Sequence, residues 1–120
     1  MYFFVALGGA LGSSLRYFLS RQVKNQGDFP WSTFAINLLG AFLLALLSFY
    51  GEKRGLDQRL VAFLKVGFCG GFTTFSTLAF ELFSLESKGQ LGLCILYALA
   101  SILLSILLIY LARYLVFQSS

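Results

Sequence analysis

Four stretches of this chain carry no charged residue: 1–15, 29–51, 66–80 and 89–112. The polar positions between them gather in short connectors at 24–31, 51–58 and 87–90. A membrane-crossing helix needs roughly 20 mostly apolar residues to span a hydrocarbon core of about 30 Å. With flanking residues free to snorkel, four such helices fit and a fifth does not. The pattern predicts helices over about 3–22, 32–50, 60–84 and 91–115. It makes residues 1–120 a single all-α, four-helix transmembrane domain. Pro30 and Trp31 mark the entry to the second helix, because Pro suits a helix start and Trp prefers the headgroup layer.

The third helix contains an interruption. Residues 67–77 read Gly-Phe-Cys-Gly-Gly-Phe-Thr-Thr-Phe-Ser-Thr, which sets a glycine pair and a run of hydroxyls within an apolar pattern. Unpaired backbone in hydrocarbon costs several kcal/mol, so irregular chain there survives only inside protein or beside a polar path. Gly70 and Gly71 resist helix continuation, which predicts a break near 70–74. Thr73, Thr74, Ser76 and Thr77 can bond the groups it frees. The break is either a kink satisfied by those hydroxyls or a place where two symmetry-related breaks present carbonyls to a cation. Oxygen-only ligation suits a hard ion such as Na⁺.

Composition places the chain in a bilayer: 58% of residues are hydrophobic and 12% charged, where a soluble domain has about 25% charged. Mean hydropathy is +0.82. There is no His, and Cys69 and Cys94 stand in separate apolar segments without metal or redox spacing. An enzyme is therefore not expected. The opening segment lacks a basic start, and Gly8, Gly9 and Gly12 suit helix packing, so it reads as a retained first helix rather than a signal peptide.

Loop charge is nearly balanced. Lys53, Arg54, Arg59 and Arg113 fall on one face, and Arg21, Lys24 and Lys88 on the other. Such balance permits insertion in both orientations, and so an antiparallel, dual-topology homodimer. The net charge of +4 reads as anchoring on both leaflets, not as a nucleic-acid surface. Four helices can hardly enclose a selective pore alone. An oligomer is expected, and the Gly8–Gly12 spacing would let backbones approach closely.

Several side chains could carry chemistry. Asn37 lies six residues past Trp31, with amide groups that lipid cannot satisfy, and is either interhelical glue or a donor lining an anion path. Tyr97, Ser101 and Ser105 recur at i, i+4 and i+8, so they share one helix face as packing contacts or as a polar track. Arg16 follows a segment that rises about 22 Å as a helix; it either snorkels or gives a vestibule its positive potential. Glu81 reads as buried and partnered, and Glu86 as solvated. Phe75, directly after the break, can turn a positive ring edge to an anion.

Together these residues resemble the Fluc/CrcB family of fluoride channels. The resemblance rests on Gly8-Gly9-Ala10-Leu11-Gly12 with Arg16-Tyr17, on Thr33 with Asn37-Leu38-Leu39-Gly40, and on residues 67–77, and it covers nearly the whole chain. It implies a dual-topology homodimer with two antiparallel fluoride pores and a central structural Na⁺ held by the main-chain carbonyls of Gly70 and Thr73. It places Asn37, Phe75, Ser76, Thr77, position 78, Tyr97, Ser101 and Ser105 on the fluoride path, with Arg16 and Glu81 at the vestibules. One departure stands out. The family usually has two Phe three residues apart after the double Thr, whereas this chain has Phe75 and Leu78. Phe80 lies two positions later, about 200° around a helix, and does not substitute.

The resemblance implies passive export of F⁻ across the cell (plasma or inner) membrane. The rivals are a small four-helix multidrug exporter, disfavoured because residues 1–15 hold no Asp or Glu, and a non-transporting assembly subunit.

Overall fold

The computed structural model describes residues 1–118 as a bundle of helices. We number them α1 (Tyr2–Gln22), α2 (Trp31–Arg54), α3 (residues 58–72), α4 (Phe75–Ser87) and α5 (Leu91–Phe117). Helices α3 and α4 are the two halves of one interrupted span. The four stretches Tyr2–Gln22, Trp31–Arg54, Gln58–Ser87 and Leu91–Phe117 are each long and apolar enough to cross a membrane. α5 is apolar all round, as expected of a helix that meets lipid on one side and protein on the other.

α1 and α3 meet backbone to backbone. A Cβ on Gly8 would lie 2.1 Å from the Phe63 carbonyl oxygen, and one on Gly12 would lie 2.2 Å from that of Phe68. The Gly8–Gly12 spacing, expected to serve an oligomer, is thus used inside the chain. On the facing side α3 is wound in its middle as a π-helix, Ala62–Cys69, with i→i+5 hydrogen bonds.

α2 runs along α5 and is tied to it at both ends. At one end Asp28, just before α2, accepts a hydrogen bond from the Gln90 side chain. At the other, Lys53 Nζ donates to the Val116 carbonyl at 2.8 Å. Between them, Tyr97 is fully buried and its ring packs against Phe29 at 5.2 Å and Phe34 at 6.3 Å.

The interruption itself is narrower than the glycine pair suggested. Gly70 keeps helical angles (φ −62°, ψ −39°), and the helix continues through Phe72. The extended residues are Thr73 (φ −86°, ψ 160°) and Thr74 (φ −148°, ψ 114°). Gly71 serves close approach instead: its Cβ would lie 2.7 Å from the Gly9 carbonyl oxygen of α1.

Candidate functional site

Interrupting a helix strands carbonyls at the end of the first half and N–H groups at the start of the second. Several find partners from three directions. Cys69 O accepts from both the amide and the hydroxyl of Thr73, each at 3.1 Å. Gly71 O accepts from Arg16 Nε at 3.1 Å and, more distantly, from Ser13 Oγ at 3.4 Å. A cation at a helix C-terminus also opposes the negative end of the helix dipole. Arg16 is half-buried and fastens α1 to the break.

The second half begins with an ordinary cap. Thr74 Oγ1 accepts from the Thr77 amide at 3.3 Å and donates to Thr77 Oγ1 at 3.0 Å. The Thr74 peptide groups turn to α2: its N–H donates to Asn37 Oδ1 at 2.8 Å, and its carbonyl accepts from Asn37 Nδ2 at 3.1 Å. Asn37 therefore pairs with the break as a strand neighbour would. Its amide nitrogen carries two hydrogens, and the second has no acceptor among the described residues.

Among the carbonyls left unpaired at the break are those of Gly70 and Thr73. Because the Thr74 N–H goes to Asn37, Gly70 O loses its helical partner; no donor among the described residues reaches it or Thr73 O. Nor do three or more His, Cys, Asp or Glu gather anywhere among those residues. A cation at the break would thus find oxygens of the backbone kind, and the donor set fits a hard ion.

Both of these residues line a groove of about 550 Å³ bounded by α2, α3, α4 and α5. It brings together Asn37, Gly70, Thr73, Phe75 and Leu78 with Ser101 and Ser105 of α5. Phe75 is 80% exposed, so its ring projects beyond the chain's own packing. Phe80 lies outside the groove and packs against Phe83, with ring centroids 6.3 Å apart. Ser101 is the outlier. Alcohols in helices commonly bond the carbonyl one turn back, as the less buried Ser48 does to Leu44 at 2.8 Å. Ser101 lines the groove, and its Oγ is buried with no hydrogen-bond partner among the described residues.

Arg16, Ser76, Thr77, Tyr97 and Glu81 are not part of the groove lining. Glu81 forms a separate polar knot: Oε1 accepts from Tyr97 OH at 2.7 Å and Oε2 from Thr33 Oγ1 at 2.9 Å. The knot joins α2, α4 and α5 through a carboxyl group with both oxygens engaged. Sequence reasoning gave Thr33 no role, although it stands one helical turn before Asn37 on the same face. It also passed over Ser13, and Lys65, which lines the groove.

The chain matches the family model described as CrcB-like protein, Camphor Resistance (CrcB), over residues 3–113. It is 46% identical over 112 residues to a protein of Thermus thermophilus named fluoride-specific ion channel FluC, covering 92% of this chain and 88% of that one. A Bacteroides fragilis protein of the same name is 40% identical over 117 residues, covering 93% and 92%. Fluoride-specific ion channel FluC 2 of Clostridium acetobutylicum is 41% identical over 118 residues, covering 94% and 95%.

Proposed function

This chain belongs to the CrcB-like family, and on that premise we propose that it is a fluoride-selective channel that exports F⁻ passively from the cytoplasm across the cell membrane. It works as an antiparallel, dual-topology homodimer with two pores. The groove supports this reading because it is open on one side, with Phe75 projecting from it. One copy cannot enclose an ion path there; a second copy packed against that side completes it. Near-balanced Lys/Arg on the two faces is what antiparallel insertion requires.

The single observation that carries the reading is the Ser101 hydroxyl, buried without a partner in a groove that also holds Ser105 and the spare Asn37 N–H. An unmade hydrogen bond at a buried donor is costly, and a small anion relieves that cost. Fluoride binds water tightly, so a path must offer donors that replace its hydration shell. Amide and hydroxyl groups do so without a full charge that would trap the ion. The Phe75 ring edge adds a weakly positive contact suited to an anion. The Gly70 and Thr73 carbonyls of two copies would hold a structural Na⁺, whose charge would bind together the two breaks. Thr33, Glu81 and Tyr97 hold the helices that frame the path in register.

The test is efflux from liposomes loaded with fluoride or chloride. Reconstituted protein should release F⁻ far faster than protein-free vesicles and should retain Cl⁻. F⁻ release no faster than from empty vesicles overturns the proposal; equal F⁻ and Cl⁻ release removes the selectivity.

A further inference from the structure

The groove has one charged lining residue among those described, Lys65. It stands on the π-helical stretch of α3, one turn before Cys69 and two before Thr73, which line the groove too. Seven residues separate it from the start of α3 at Gln58, which sets its Cα roughly 10 Å into the span. A Lys whose role is only to anchor a helix reaches the surface and pairs with lipid or solvent. Lys65 is instead half-buried in protein and borders the space shared with Ser101 and Ser105. No carboxyl group lines the groove, and Lys65 has no hydrogen-bond or ion-pair partner among the described residues. Ionisable side chains within membrane spans are rare and usually paired, or else face an ion route.

We propose that Lys65 is an anion-capture residue: its ammonium draws the anion into the end of the groove nearer Arg54 and hands it to the hydroxyls of Ser105 and Ser101. This deepens the channel reading and rests on it. The placement also avoids the drawback of a full charge on the path. Lys65 lies about two turns from the Asn37–Thr74 contact, so it raises the local anion concentration at the mouth without clamping the ion at the narrow centre. In an antiparallel pair the two Lys65 side chains would lie toward opposite leaflets, which gives each pore one cationic mouth.

The experiment compares wild-type protein with Lys65→Met and Lys65→Arg in fluoride-loaded liposomes, at low and saturating F⁻ and at low and high ionic strength. Capture by charge predicts a several-fold lower flux for Lys65→Met at low fluoride. The deficit should shrink toward saturation, and the salt dependence of the wild type should be lost. Lys65→Arg, which keeps the charge, should retain both flux and salt dependence. Equal flux and equal salt dependence in wild type and Lys65→Met overturn the proposal while leaving the channel reading intact. If the wild type itself passes no F⁻, the channel reading fails, and anion capture is read separately by ¹⁹F line broadening of NaF with detergent-solubilised protein. Broadening lost in Lys65→Met alone supports capture, and unchanged broadening sinks it.

Discussion

Tyr97 and Ser101 stand one turn apart on the same helix, both buried, at 0% and 7% exposure, yet their hydroxyls meet opposite fates. Tyr97 OH donates to Glu81 at 2.7 Å, and Glu81's other oxygen is taken by Thr33. Ser101 Oγ has no hydrogen-bond partner among the described residues. Packing alone explains the first hydroxyl, because a closed knot of buried polar groups specifies how three helices meet. It does not explain the second: an Ala at 101 would fill nearly the same space without a stranded donor. Where a fold satisfies one buried hydroxyl fully and leaves its neighbour open, the open one is the better guide to function.

Four substitutions break or sharpen that contrast. The largest effect belongs to Asn37→Asp, which replaces a donor facing the Thr74 carbonyl and the groove by an acceptor. F⁻ flux should fall about 100-fold or more, equivalent to some 3 kcal/mol, with the proposed dimer intact on size-exclusion chromatography; unchanged flux removes Asn37 from the path. Next comes Glu81→Leu, which strands the hydroxyls of Tyr97 and Thr33. Thermal or denaturant unfolding in detergent should show a loss of about 2–4 kcal/mol, given about 1–3 kcal/mol for each buried group left unpaired. Ser101→Ala should show the reverse signature. Stability should stay within about 0.5 kcal/mol of wild type, while F⁻ flux drops about tenfold, the size of one lost hydrogen bond to an anion. A stability loss at Ser101 matching that at Glu81 would dissolve the contrast. Leu78→Phe, which places a second ring on the groove, should have the smallest effect, a change in conductance or halide preference of about two- to threefold or roughly 0.5 kcal/mol; no change in either means that position 78 does not face the ion.

The four spans were legible because hydropathy is a local property, readable over some twenty residues at a time. The break was legible in part. A glycine pair signals that something special happens, but glycine has two uses, backbone freedom and the absence of a Cβ. Here Gly71 serves the second, against Gly9, while the extended conformation falls on Thr73 and Thr74. Gly8 and Gly12 illustrate the same gap: their spacing announces close approach, and only the fold says that α3 is the neighbour. Long-range pairing was not legible. Arg16 finds Gly71 at a separation of 55 residues, and Thr33 finds Glu81 at 48. Each side chain had several partners open to it in one dimension. Lys65 was passed over because it sits at the margin of a charge-free run, where a lysine looks like a boundary marker; its position on the groove comes from where the fold sets α3 relative to α2, α4 and α5, whose residues share the lining.

The seam between α1 and α3 has a consequence for how the proposed conduit would protect its membrane. Contacts made by side chains can slide, because rotamers offer alternatives. At Gly8, Gly12 and Gly71 there are no side chains to rearrange, only peptide groups so close to the facing helix that an added Cβ would lie 2.1, 2.2 and 2.7 Å from a carbonyl oxygen of its backbone. Arg16 bolts the same two elements at the break. The first half of the interrupted span is thus part of a rigid wall. In the proposed channel a wall of that kind does not insulate by moving. The proposed channel would keep the membrane's electrical charge from draining away by refusing abundant ions on chemistry alone.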